Sequence, residues 1–163
     1  MRLFIAIQFD PPTIRCLTDV QRQIRAGTLT IQENLHLTLV FLGEVEESRI
    51  PAVCRAMERS TVPPFTLRFG GSGRFGEIVW AGIEPTAPLL TLQSALTANL
   101  ATARFTLESR AYTPHVTLAR KCRDAVLPEV PPFTMKARSF SLMKSEQIGG
   151  RQVYTELFRT DLC

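Results

Sequence analysis

The chain holds only two histidines, and both occur in the same short setting: His36 in NLHLTLVF (34–41) and His115 in PHVTLAR (114–120). In an extended strand successive side chains alternate between faces, so residues two apart point the same way, about 7 Å from each other. His36 therefore shares a face with Thr38, while Leu35, Leu37 and Leu39 share the other. His115 likewise sits with Thr117, against Val116 and Leu118. Each strand offers an aliphatic face to a core and an imidazole with a hydroxyl to the opposite side. Accident would place threonine at +2 and leucine at +3 of both histidines on the order of once in ten thousand chains of this composition. An unperturbed imidazole titrates near pH ~6.5, so one can accept a proton while the other donates. On either side of a phosphodiester, such a pair could deprotonate a water and protonate the leaving oxygen, with both threonine hydroxyls donating to the phosphoryl oxygens. Two histidines without nearby carboxylates are too few for a transition-metal site, so no metal and no other cofactor is expected.

The elements that must hold these motifs follow from periodicity. Residues 3–9, LFIAIQF, read as a strand. Asp10-Pro11-Pro12 then supplies a capping residue and prolines at a helix start, followed by Ile14, Leu17, Val20 and Ile24 at helical spacing as far as Gly27. Residues 35–42 form the first histidine strand, closed by Gly43. A helix over 48–59 places Ile50, Val53 and Met57 on one side, with the GEVEES run (Ser48 or its acidic neighbours) capping its first amides. Beyond Pro63-Pro64 the chain reads as two strands around a glycine-rich turn, and Pro88 opens a helix with Leu89, Leu92, Leu96, Leu100 and Ala103 on one stripe. Residues 115–120 are the second histidine strand; 133–143 and 151–158 pair through Gly149-Gly150. Strands and helices in this order predict an α+β fold. The histidines lie 79 residues apart, nearly half the chain, which suggests a single domain over 1–163 made of two similar lobes.

Composition bounds the rest. Hydrophobic residues make up 45% and charged residues 21%, as in ordinary globular proteins, and no apolar run approaches the ~20 residues of a membrane span. MRLFIAIQFD lacks a small-residue cleavage site and reads as a strand, so the expected location is the cytoplasm. A monomer is expected as well. The formal charge is +4, and all cations but Lys121, Lys136 and Lys144 are arginine. Arginine's planar fork suits phosphate, although arginine-rich surfaces also follow from gene base composition. Cys16, Cys54, Cys122 and Cys163 lie far apart with no paired spacing and read as free thiols, Cys16 and Cys54 as small hydrophobes within helices.

ENLHLTLVFLGEV and TPHVTLAR resemble the two HxTx signatures of the 2H phosphoesterase superfamily, and within it the RNA 2′,3′-cyclic phosphodiesterases, also called 2′-5′ RNA ligases. The resemblance extends to RLFIAI, the DPP helix start, FLGEV, and GSGRFG followed by VWAGIE. It implies a two-lobed α+β fold, antiparallel sheets with pseudo-twofold symmetry around a central cleft. It implies metal-independent hydrolysis of terminal 2′,3′-cyclic phosphates to 2′-phosphates, on RNA ends or cyclic nucleotides, with 2′-5′ ligation as a side activity. His36 would be the proton donor, His115 the proton acceptor, and Thr38 and Thr117 the phosphate holders. Arg120, ending TLAR, matches an arginine associated with the ligand; strict alternation puts it opposite His115, so a bulge or strand end is required. A non-catalytic protein binding RNA ends or nucleotides is the competing reading, but binding alone would not need two titratable groups.

Other signals carry less. Gly71-Ser72-Gly73-Arg74-Phe75-Gly76 fits the dinucleotide pattern GxGxxG, yet strand-like EIVWAGIE follows instead of a helix, so a glycine turn with a solvated Arg74 is expected. Among Phe9, Phe41, Phe75 and Trp80, which could each stack a base, Phe9 beside the cleft is the best candidate. Phe41, on the leucine face, is expected in the core.

Overall fold

In a computed structural model describing residues 1–163, the apolar runs fold into nine strands and three helices. In chain order these are β1 (Arg2–Gln8), α1 (Pro11–Gln21), β2 (Thr28–Leu29), β3 (His36–Glu44), α2 (Ile50–Glu58), β4 (Phe65–Phe75), β5 (Ile78–Ile83), α3 (Ala87–Thr102), β6 (His115–Arg120), β7 (Phe133–Ala137), β8 (Ser139–Ile148) and β9 (Arg151–Asp161). The strands form two antiparallel sheets, a four-stranded one ordered β3-β1-β8-β9 and a five-stranded one ordered β2-β6-β5-β4-β7. One histidine strand belongs to each sheet, and β3 and β6 approach each other. A continuous core of 36 buried residues runs through both sheets and beneath the helices. It takes Leu3, Ile5 and Ile7 from β1, Leu37 and Leu39 from β3, and Val116 and Leu118 from β6. No helix is long and apolar enough to cross a membrane.

Asp10 caps α1 as expected: its carboxylate accepts from the Thr13 amide at 3.0 Å, and Pro11 and Pro12 occupy the first turn. The helix ends at Gln21, well before Gly27. The buried Gln21 amide donates to the carbonyls of Thr30 and Leu118, both at 2.9 Å, and so ties the returning chain to β6. Gly27, at φ +75°, then passes so close to β6 that a Cβ would lie 2.2 Å from the Arg120 carbonyl oxygen and 2.5 Å from Cys122 Sγ. A backbone carbonyl cannot swing aside as a side-chain tip can. Gly27→Ala is therefore expected to cost about 1–3 kcal/mol, read as a lowered Tm, and to lower turnover by shifting Arg120.

Three sequence expectations need correction. The acidic run does not cap α2: Glu47–Arg49 form a 3-10 turn, and Arg49 enters the helix without a side-chain cap bond. The stretch 133–143 is not one strand but two in different sheets; β7 pairs with β4, then the chain crosses at Arg138 and β8 pairs with β1. Alternating burial along β7 gives way to four consecutive buried residues in β8 (Phe140–Met143), a change of environment that local periodicity could not locate. The GxGxxG glycines lie mostly inside β4, with the reversal only at Gly76-Glu77, and Arg74 is not solvated. Its guanidinium holds the loop after β6 by donating to the carbonyls of Cys122, Arg123 and Ala125.

Candidate active site

The cleft between the sheets has a volume of about 970 Å³ and is lined by both motifs: His36 and Thr38 from β3, His115, Thr117 and Arg120 from β6. Four of these positions follow from simple alternation. Arg120 does not, and it reaches the cleft because β6 carries a bulge. Val79 pairs with Ala119 and Trp80 with Thr117, leaving Leu118 as the extra residue. Leu118 and Ala119 are both buried, and the alternation resumes one residue out of phase, with Arg120 exposed on the His115 side. The required irregularity is thus present.

The same bulge recurs in β3. Ala6 pairs with Thr38 and Ile5 with Val40, so Leu39 and Val40 are both buried and Phe41 turns to the His36 side. Phe41 is 56% exposed and lines the cleft, contrary to the expectation of a core position. It stands five residues after its histidine, as Arg120 stands five after His115, so the two lobes place a ring and a guanidinium at equivalent points. Phe9 is the opposite error. It packs edge-on against Phe69 at 5.4 Å, beside the core, and does not line the cleft. Alternation along β1 puts Phe4, rather than Phe9, on the cleft face.

Backbone carbonyls orient both imidazoles. His36 Nδ1 lies 2.7 Å from the Asn34 carbonyl, and His115 Nδ1 lies 2.7 Å from the Thr113 carbonyl. A carbonyl only accepts, so each Nδ1 carries a hydrogen and the neutral ring keeps its free lone pair on Nε2. In the neutral ring His36 Nε2 accepts from the Thr38 hydroxyl at 2.8 Å. Aromatic rings enclose each histidine: Phe4 at 4.9 Å and Tyr154 edge-on at 5.3 Å around His36, Phe75 at 5.0 Å and Trp80 at 6.0 Å around His115. Phe75 and Trp80 thus border a motif instead of filling the core, and Gly73 opposite Trp80 leaves room for its indole. Tyr154 and Phe4 went unnoticed in the sequence. Phe4 lies within a uniformly apolar strand, and Tyr154 is 39 residues beyond His115 with no local pattern.

Burial holds His36 down from the ordinary 6.5 to about 4, and the positive charges of His115 and Arg120 add to this; only the Asn34 carbonyl opposes it. Unliganded, His36 is therefore neutral at pH 7. A strut from the other lobe steadies its strand: the Tyr112 hydroxyl, three residues before His115, donates to the Thr38 carbonyl at 2.8 Å, and burial pushes its phenol up. Tyr112→Phe keeps the ring and removes only this bond. It is expected to cost about 1–2 kcal/mol, measured as a drop in Tm of about 2–8 °C, and to lower kcat more than it raises KM, because it loosens one histidine relative to the other.

Two antiparallel sheets, each presenting an HxT strand to a shared cleft, define the two-lobed architecture of the 2H phosphoesterases. The family model described as the 2′-5′ RNA ligase superfamily matches residues 15–148, and the chain belongs to that family. An RNA 2′,3′-cyclic phosphodiesterase of Escherichia coli (strain K12) is 34% identical over 139 residues, 82% of this chain and 79% of that one. A protein of the same name from Archaeoglobus fulgidus is 29% identical over 154 residues, covering 90% and 86%. The crystal structure of E. coli LigT complexed with 3′-AMP matches with a TM-score of 0.91 at 30% identity, over 99% of this chain and 97% of that chain.

Proposed function

We infer that this chain is an RNA 2′,3′-cyclic phosphodiesterase that hydrolyses the terminal cyclic phosphate of RNA, or a cyclic nucleotide, to a 2′-phosphate. The observation that carries the reading is the presentation of two imidazoles, each with its Nδ1 hydrogen committed to a carbonyl, from two sheets into one cleft. His115 Nε2 takes a proton from water as the water oxygen bonds to phosphorus. The bond from phosphorus to the 3′-oxygen breaks, and His36 supplies the proton that this oxygen needs. Thr38, Thr117 and Arg120 donate to the phosphoryl oxygens, whose negative charge grows as the water attacks. A 5′-hydroxyl in place of water would give a 2′-5′ linkage by the same steps, but water at bulk concentration favours hydrolysis.

His36 must be charged to act as the acid, and the bound phosphodiester provides for this. Its anionic charge offsets Arg120 and His115, and so raises His36 again in the complex. The low value in the free protein also favours a second reading, in which His36 is the base and His115 the acid. Neither assignment needs a metal, and the four free thiols fit a protein working in the reducing cytoplasm. Phe41 replaces Phe9 as the ring available for stacking on a base. The test is incubation with an oligonucleotide ending in a 2′,3′-cyclic phosphate, with EDTA present. Conversion to a 2′-phosphate is expected. A 3′-phosphate would overturn the bond assignment, and binding without conversion would establish a non-catalytic binder.

A further inference from the structure

The outer face of the four-stranded sheet extends the cleft well beyond the paired histidines. Along β1, Phe4 packs on the His36 ring, and Arg2 lies on the same face one strand repeat farther out, about 7 Å. Ser145 of β8 pairs with both Arg2 and Tyr154, and Gln147 pairs with Gln152, so a polar row borders the aromatic one. Arg151, paired with Ile148 and one residue out of phase with Gln152 and Tyr154, reaches the cleft lining from the tip of the β8–β9 hairpin. The rim is braced: Gln152 donates to the Ser145 hydroxyl at 2.5 Å and to the Glu146 carbonyl at 3.1 Å. Asn34 holds the Gln152 carbonyl at 2.9 Å, tying the hairpin to the segment just before His36.

Charge on this rim is uncompensated. Neither Arg2 nor Arg151 makes an ion pair or a side-chain hydrogen bond, and the neighbouring acids are already engaged, Glu44 by the N-terminal amine at 3.4 Å and Glu146 by Lys144 at 3.0 Å. Arg2 and Arg120 are both close enough to the Tyr154 phenol to counter the upward push of burial on it. A free guanidinium thus stands on the near side of Tyr154, at the histidines, and another on the far side, at the rim. The cleft's volume of about 970 Å³ lies at the upper end of small-molecule sites, and Arg2, Ser145, Gln147 and Gln152 also line a second depression of about 490 Å³, together with Met1, Lys144 and the two ion-paired carboxylates Glu44 and Glu146. One cyclic nucleotide does not require this much groove, nor two forked cations away from the reacting phosphate.

We propose that Arg2 and Arg151 form a second phosphate subsite, which binds the phosphodiester on the 5′ side of the terminal nucleotide and so selects oligonucleotide ends over cyclic mononucleotides. The proposal rests on the phosphodiesterase reading above. A guanidinium fork donating to two non-bridging oxygens reads the backbone and not the base, so the selection is for chain length without sequence preference.

The test compares a 2′,3′-cyclic mononucleotide bearing a 5′-hydroxyl with a dinucleotide that ends in the same cyclic nucleotide. In the unaltered protein kcat/KM is expected to favour the dinucleotide by at least tenfold, with a KM that rises more steeply with salt, by roughly 0.7 in log–log slope for the one extra phosphate. In Arg2→Ala/Arg151→Ala the preference falls at least tenfold and the extra slope disappears. Arg2→Lys/Arg151→Lys, which keeps the charges and loses the forks, restores part of both. A preference that stays within twofold of the unaltered protein's overturns the subsite, as does an equal loss on both substrates. If the unaltered protein converts neither substrate, the phosphodiesterase reading fails, and the subsite with it.

Discussion

Replacing His36 or His115 by alanine is expected to lower kcat on a cyclic-phosphate oligonucleotide by about 10²–10⁴-fold, the usual worth of one positioned proton-transfer group. Both protons move in a single displacement, so the double variant should lose much less than the product of the two single losses. Neither side chain belongs to the main core, and Leu35, Leu37, Val116 and Leu118 on the opposite faces keep their packing. The far-ultraviolet spectrum should stay unchanged and Tm within a few degrees. Loss of turnover together with the fold would leave the histidines as structural groups, and near-normal turnover in either variant would remove the mechanism. The leaving group separates the two roles. A substrate with sulfur at the bridging 3′ position departs as a stable thiolate and needs little protonation. Its hydrolysis should survive in the variant lacking the acid and stay slow in the one lacking the base. Rescue in His36→Ala assigns His36 as the acid, whereas rescue in His115→Ala exchanges the roles.

Acidification should destabilise the unliganded protein more than it does His36→Gln. His36 is held at about 4 in the folded chain against 6.5 when unfolded, so between these values the unfolded state binds the extra proton and the folded state does not. The contribution is fully present above pH 6.5 and is lost as pH falls towards 4, on the order of 3 kcal/mol in all. Urea unfolding across this window should show the slope, and the glutamine variant should flatten that part of it. A bound phosphodiester reverses the sign locally by stabilising the imidazolium. The acid limb of kcat/KM, which reports the free protein, should therefore lie near pH 4, while that of kcat lies higher. The limb does not identify the acid, because a profile with exchanged protonation states has the same shape. That is why the thiolate substrate is needed. A pH-independent difference between the two proteins would refute the burial of His36 as the source of the shift.

Much of the site is local information. Alternation along two strands is enough to separate His36, Thr38, His115 and Thr117 from their leucine and valine neighbours, and those four side chains do line one cleft. Arg120 required one step more, a bulge or strand end, which the family resemblance implies and alternation alone does not supply. The repeat carried the clue for Phe41 as well. A bulge that turns Arg120 at +5 of His115 implies the same turn at +5 of His36, yet simple alternation assigns Phe41 to the core. Phe9 failed for a related reason: a ring at the end of a strand has no register of its own, and its direction is set by the element it meets, here Phe69 on β4.

What the sequence by itself determined is chemistry and periodicity: two imidazoles with paired hydroxyls, three helices with the proline-marked starts of the first and third, and strands that must bury one face. These depend on neighbours within a few residues along the chain. Tertiary structure decided which strands lie side by side and where the ladder slips. It therefore decided that 133–148 divides between two sheets, that Phe4 and Tyr154 enclose His36, and that Tyr112 braces Thr38 from the opposite lobe. It also decided the ionisation of His36, since burial and two distant cations set it. Packing and electrostatics act through space between residues tens of positions apart, and no local pattern in the chain encodes those distances.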